Sequence, residues 1–370
     1  MSPADDTLAM LRDSLARYLA DHHDVEARRA LLADPRRGAP LWRGLARDLG
    51  LLGASFPESL GGFGGTLADA LSLLETLGER LAAEPYLSTV AIAGDALARA
   101  GGERAREAIG AIVDGRAVIA FAHDEPHRPA DARALRSTLA RRGAGFVLAG
   151  RKSVVTCAPW ATHLLVSAGD GAGGTSLALV DADAPGIVRR DVRTLDGGWA
   201  SELRFDDVAV PAAHLVGEPG EALEPLERAL DVGALAVCFE SLGTMRRLMA
   251  DTIAHANQRR QFGVPIASFQ ALQHRIVDMH LAFEQARALT RAAAASIDAA
   301  PASRAAAVSS AKVIASRACR VVGQGAVQVH GGMGMTDELA LGHYFRRATA
   351  IELEFGTVAR HLRRIDRLAG

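Results

Sequence analysis

The stretch Arg259-Arg260-Gln261-Phe262-Gly263-Val264-Pro265-Ile266, followed by Phe269-Gln270, is where this sequence is most informative. A helical period runs up to it and stops near Phe262, and Gly263 and Pro265 then turn the chain. Such a corner presents a guanidinium fork, a side-chain amide and an aromatic ring together. Arginine matches the oxygens of a pyrophosphate, and phenylalanine offers a face to an adenine. The same residues also fit a plain helix corner with a surface arginine, so the surrounding chain has to decide.

Upstream of the corner, Leu226, Leu230, Val237, Leu242, Met245, Met249 and Ile253 recur on one helical face. Downstream, the pattern predicts helices over 269–297, 302–329, 338–353 and 357–368. Before Pro211 the period changes. Short apolar or β-branched runs at 117–122, 146–155, 163–168, 176–180, 187–192 and 201–210 are separated by Gly, Asp and Pro, which predicts an antiparallel sheet or small barrel. Residues 5–112 read mostly as helix. Leu8, Leu11, Leu15 and Leu19 form one stripe, and a Gly-rich insert at 57–65 breaks the pattern. The expected fold class is α+β, with a helical N-terminal domain (1–114), a middle β-domain (115–222) and a C-terminal four-helix bundle (223–370).

The 370 residues carry a net charge of -1 with acids and bases interspersed, which gives no electrostatic case for nucleic acid or an anionic membrane. Cys157, Cys238 and Cys319 have no metal-ligand spacing and read as buried packing residues of a reducing compartment, so no metal is expected. The N-terminus lacks a basic segment ahead of an apolar run, and no stretch approaches the roughly 18 apolar residues of a membrane span. A cytoplasmic location is expected.

Further segments fit the corner into a pattern. Gln328-Val329-His330-Gly331-Gly332-Met333-Gly334, Leu49-Gly50-Leu51-Leu52-Gly53 with Pro57-Glu58, and Phe205-Asp206-Asp207-Val208-Ala209-Val210-Pro211 lie in order along the chain. With the Arg259 corner, these resemble the signatures of the acyl-CoA dehydrogenase family. That resemblance implies FAD, with a flavin shared between two chains of a dimer or tetramer. One chain holds the isoalloxazine ring. Arg259, Gln261, Phe262, Gln328, Gly331 and Gly332 match the residues that grip the pyrophosphate and adenosine of the neighbour's flavin, and Thr156 and Thr357 match contacts to the chain's own. It further implies α,β-dehydrogenation of an acyl-CoA thioester, a glutamate that removes the α-proton, and an electron-transfer flavoprotein as electron acceptor.

The sequence departs from the family where that base belongs. Phe355 stands at one known position of the glutamate and Gly233 at the other. Asp124, Ala130, Val154 and Ala234 replace residues that serve the chain's own flavin and substrate. A carboxylate at Asp124 adds like-charge repulsion beside a reduced flavin. The chain also resembles the small subunit of pimeloyl-CoA dehydrogenase-type heteromers, notably in Gly342-His343-Tyr344-Phe345-Arg346-Arg347. Such two-gene complexes serve sterol side-chain and dicarboxylyl-CoA breakdown. The expectation is a subunit that completes a site whose base lies on a second acyl-CoA dehydrogenase-type chain. The alternatives are a non-catalytic structural or regulatory paralogue, other flavin chemistry on the same fold, and a self-sufficient enzyme with a displaced base. For the last, Glu354 is the candidate, with Glu240 behind it. Glu240 reads equally as a buried acid paired with an arginine such as Arg275, and Glu354 as a solvated helix-flank acid. His274, His330 and His343 lack partners at metal spacing and read as structural.

Overall fold

The structure, a computed structural model, describes residues 3–82, 85–126, 132–336 and 339–370. Ala130 and the expected helix start at residue 338 lie outside the described residues.

The N-terminal helices are α1 (Pro3–His22), α2 (Val25–Ala33), α3 (Ala39–Arg47), α4 (Leu67–Glu79), α5 (Asp95–Ala100) and α6 (Glu103–Val113). The leucine stripe of α1 turns Leu15 and Leu19 fully inward. Between α4 and α5 lies a π-helix, Leu87–Gly94, all of it buried. Its Ser88 and Thr89 hydroxyls bond the backbone of Ile119 and Phe121, so a helix covers an edge of the first strand.

Seven strands follow: β1 (Ile119–Ala122), β2 (Thr138–Arg142), β3 (Gly145–Thr156), β4 (His163–Gly169), β5 (Thr175–Asp181), β6 (Ile187–Arg193) and β7 (Trp199–Pro211). They form one sheet in the order β1-β4-β2-β3-β7-β6, with β5 also on β4. The sheet is mixed rather than purely antiparallel, because β1 and β2 pair parallel to β4. Parallel pairing needs a long crossover, and the β2–β3 hairpin between β1 and β4 supplies it. Strand β2 has no apolar alternation, since only Leu139 points inward, and so carries no periodic strand signal. On β7, Leu203 and Phe205 face inward, and so do Val208 and Val210. Asp206 and Asp207 together oppose the single residue Ala149 of β3, a bulge whose one extra residue keeps both pairs facing inward, with Asp207 at φ 51.

The remainder is helical: α7 (Leu223–Gln258), the hairpin β8 (Arg260–Gln261) and β9 (Val264–Pro265), α8 (Gln270–Ala295), α9 (Pro301–His330), α10 (Ala340–Ile351) and α11 (Val358–Ala369). The chain thus has a helical N-terminal part, a β-sheet middle and a helical C-terminal part.

By packing, the chain divides into two compact units. One comprises Met1–Ala70, Glu84–Thr194 and Gly198–Gly233, and the other Leu71–Ala83, Leu195–Gly197 and Ala234–Gly370. Inside the second, α4 and α7 meet backbone to backbone. A Cβ on Gly243 would lie 1.9 Å from the Glu75 carbonyl oxygen, and one on Gly78 would lie 2.2 Å from that of Glu240. Arg246 pairs there with Glu75 and Glu79. No described helix is long and apolar enough to cross a membrane, and no cluster of three metal-ligating side chains occurs among the described residues.

Candidate functional site

The corner is a tight hairpin set on the end of α7. Phe262 and Gly263 are its central residues, at φ 50 and φ 82. Positive φ at both positions is what a two-residue type I′ turn demands. Glycine takes this freely, whereas phenylalanine does so at a cost of about 1–2 kcal/mol. The strain does not bury the ring: Phe262 is 92 % exposed and lies edge-on to Phe269, with ring centroids 6.1 Å apart. Arg259, Gln261 and Gln328 are also exposed.

Tertiary packing joins this corner to the end of α9. Ala256, Ile266 and Val329 form a small core with Ala267, Leu272 and Ile276 around it. The rings of His255 and His330 stack 4.2 Å apart across the same junction, and His330 also bonds the Ala326 carbonyl. The segment 328–332, some seventy residues downstream, thereby lies beside 259–262. Gly331 takes φ 65, and a Cβ on it or on Gly332 would meet nothing within 4 Å. Those glycines leave room for something outside the chain. Exposed guanidinium, amides and ring beside backbone free of side chains suit a dinucleotide's pyrophosphate and base. In this respect the residues present fit FAD.

The turn between α10 and α11 is organised inward. Arg347 is buried and donates to both oxygens of Glu240 (2.5 and 2.8 Å), both of Glu354 (2.6 and 3.1 Å) and one of Asp196 (2.9 Å). Glu354 is therefore an ion-pair partner rather than a solvated helix-flank acid. The partner of Glu240 is Arg347 rather than Arg275, because the chain folds α10 against α7. Burial pushes the Glu240 carboxyl up, opposed by the guanidinium, and the surrounding carboxylates raise Arg347 well above its usual value.

Phe355 follows at φ 54 and Gly356 at φ 111. His361 bonds the Phe355 carbonyl (3.1 Å) and, through its other ring nitrogen, Ser309 (3.1 Å). Burial, with Lys312, Arg360 and Arg364 nearby, pushes the His361 imidazole down to about 4. Lys312 is buried, bonds the Ile351 carbonyl (2.8 Å) and Ser316 (3.0 Å), and loses basicity through burial. The turn at 351–355 is thus held through its backbone by Lys312 of α9 and by His361 of α11, itself bonded to Ser309 of α9. Thr357 is exposed and caps α11.

In the other unit, the loop after β1 is braced the same way. The buried Lys152 ammonium donates to the His123 carbonyl (2.9 Å), Glu125 (3.0 Å) and Ser167 (3.3 Å). Glu125 also accepts from the Arg136 and Ser137 amides, and although burial opposes it, these partners hold its carboxyl down at about 2. Asp124 is exposed at the tip; Val154 is exposed at φ 51, and Thr156 is half-buried at the end of β3. Neither brace forms a motif along the chain. A signal existed: this chain has two lysines beside forty arginines, and both lysines are fully buried.

The fold and this arrangement define a flavin-dehydrogenase-like architecture. Family models for the acyl-CoA dehydrogenase N-terminal, middle and C-terminal domains match residues 5–112, 120–208 and 224–369. The chain is 30% identical over 324 residues to the probable acyl-CoA dehydrogenase YngJ of Bacillus subtilis, covering 84% of each chain. A solved variant of the Tcur3481-Tcur3483 steroid ACAD superposes with a TM-score of 0.90 at 31% identity, covering 99% of this chain and 98% of that one. The ChsE4-ChsE5 complex from Mycobacterium tuberculosis superposes with a TM-score of 0.89 at 29% identity, covering 99% and 97%. The chain belongs to the acyl-CoA dehydrogenase family, whose members are oxidoreductases acting on CH–CH donors.

Proposed function

We propose that this chain is one subunit of a heteromeric, FAD-dependent acyl-CoA dehydrogenase, and that its outward corner grips a flavin seated mainly in a second family member that supplies the base. The observation that carries this reading is Phe262, 92 % exposed on a left-handed backbone. A strained turn that holds an aromatic ring in water stabilises nothing within the chain, so its use lies in contact with another molecule. Phe269, Val277, Leu281, Val321 and Met333 add exposed apolar surface in the same unit. Similarity to the ChsE4-ChsE5 complex favours a two-chain assembly, and the resemblance to a steroid ACAD favours steroid or lipid side-chain breakdown.

FAD supplies the acceptor for the hydride that leaves the β-carbon of the acyl-CoA, and an electron-transfer flavoprotein takes the electrons onward. This chain's part is binding. Arg259 offers its fork to pyrophosphate oxygens, Gln261 and Gln328 offer amides, Phe262 covers the adenine, and Gly331 and Gly332 leave the backbone bare. Thr156 and Thr357 are the contacts for a flavin in the chain's own site. The chain brings no base of its own: Phe355 and Gly233 cannot accept a proton, and Glu354 is committed to Arg347. The division into 1–114, 115–222 and 223–370, and a cytoplasmic location, belong to the same proposal.

The test is co-expression with a second acyl-CoA dehydrogenase gene from the same neighbourhood, with native mass and flavin counted per chain. The isolated chain should hold little flavin. The complex should hold FAD and oxidise an acyl-CoA, and Arg259→Ala in this chain should remove both. Stoichiometric FAD and turnover in the isolated chain would overturn the reading, and loss of that turnover in Glu354→Gln would install a displaced base. A complex whose flavin content ignores Arg259→Ala would make the chain a structural paralogue.

A further inference from the structure

A second cluster of chemistry lies in the first unit, on residues that neither the flavin reading nor the substrate reading uses. A cleft of about 370 Å³ is lined by four arginines, Arg36, Arg43, Arg116 and Arg189, with Trp42 and Trp160 in its walls. Its size falls in the range of small-molecule sites. One carboxylate, Asp183, also lines it.

The four guanidiniums are not equivalent. Arg116 is paired with Asp114 at 2.7 Å, and Arg189 with Asp191 at 3.2 Å and with the Ala158 carbonyl. Arg36 and Arg43 make neither an ion pair nor a side-chain hydrogen bond among the described residues. The Trp42 indole N–H is buried and has no acceptor within the described chain. A buried donor without a partner is rare and calls for an explanation. The walls are also closely fitted. A Cβ on Gly38 would lie 3.1 Å from the Trp160 ring, and one on Gly115 would lie 2.7 Å from the Ala46 Cβ. With Asp114 and Asp191 pairing two of the four arginines, Arg36 and Arg43 face one lining carboxylate, Asp183, a local positive excess in a chain of net charge -1. Like charges so gathered repel, and a multivalent anion relieves that repulsion. Guanidinium forks match phosphate oxygens bidentately, and the half-buried Trp160 offers a ring edge to a planar group.

We propose that this cleft binds a phosphate-bearing small molecule, with Arg36 and Arg43 as its principal contacts. The phosphate chemistry is common to free phosphate and to a nucleotide, and the two are separable by titration. The inference stands apart from the subunit role, since none of its residues is assigned to flavin or acyl-CoA.

The test is calorimetric titration of the full chain at low ionic strength with inorganic phosphate, with ADP and with adenosine, alongside tryptophan fluorescence. Saturable binding of phosphate is expected, with no binding of adenosine. Tighter binding of ADP than of phosphate identifies a nucleotide as the ligand; equal binding identifies free phosphate. The double variant Arg36→Ala/Arg43→Ala should lose at least tenfold in affinity with an unchanged melting temperature, since both side chains are exposed. Arg43→Glu alone should lose more than Arg43→Ala. Absence of saturable binding by either anion, or an affinity that survives the double variant, would overturn the proposal.

Discussion

Two Phe-Gly pairs in this chain adopt the same unusual backbone and do opposite things with it. Phe262-Gly263 takes φ 50 and 82, and Phe355-Gly356 takes φ 54 and 111. At the first, the ring stands in solvent, and a Cβ on Gly263 would meet nothing within 4 Å. At the second, the ring is half-buried, and a Cβ on Gly356 would crowd Arg360 and His361 at 3.0 Å. Around the first, Arg259, Gln261 and Gln328 make no side-chain hydrogen bond or ion pair among the described residues, while Arg260 donates to the Gly263 carbonyl at 3.3 Å. Around the second, Arg347 binds three carboxylates, and His361 and Lys312 hold the backbone. A local conformation therefore does not reveal a role. What differs is where the neighbouring polar groups find their partners: within the chain at 351–361, and, on the function proposed above, outside it at 259–263.

The largest effect should come from removing the centre of the inward cluster. Arg347→Met leaves Glu240 buried with no counter-charge and should lower stability by about 3–5 kcal/mol, read as a fall in the denaturation midpoint. Its deficit should shrink on acidification, because a buried carboxyl is tolerated better once protonated. Arg259→Ala, at the outward corner, should leave the midpoint of the isolated chain unmoved. Equal losses in the two variants would erase the contrast.

The inward turn should also be the acid-sensitive one. The His361 imidazole is depressed from its usual value near 6.5 to about 4, so the folded state favours the neutral ring. Its contribution is fully present above about pH 6.5 and is lost as the pH falls towards 4, by roughly 3 kcal/mol at most. Hydrogen exchange at residues 352–357 should accelerate over that window, and His361→Gln should flatten the response. A response confined to 259–263 would contradict the placement.

The smallest effect on stability should come from Phe262→Ala. The ring is already in water, so the melting temperature should move by only a few tenths of a kcal/mol equivalent, while flavin retention in the co-expressed complex should fall at least tenfold. A large loss of stability with unchanged flavin would turn the corner into a packing element.

Much of the fold was legible from periodicity. The leucines of α1, the long apolar faces of α7 to α9, and the alternation of β3 and β7 are each local patterns that burial enforces. Strand β2 was not legible, because its pairing comes from the hairpin and not from its side chains. The parallel β1–β4 ladder was not legible either, since chain direction across a crossover leaves no periodic trace.

The sequence by itself determined which chemical groups stand at the corner and that a helical–β–helical family architecture was present, and the family resemblance it carries sets phenylalanine and glycine where the base is expected. Those are matters of residue identity and order. Only the tertiary structure decided that Gln328–Gly332 lies beside Arg259, through Ile266 packing on Val329 and one imidazole stacking on another. Only it decided that Glu354 is not free, because the guanidinium that claims it also binds Glu240, more than a hundred residues earlier in the chain. Burial and charge pairing are properties of neighbours in space, and the order of residues along the chain does not name them.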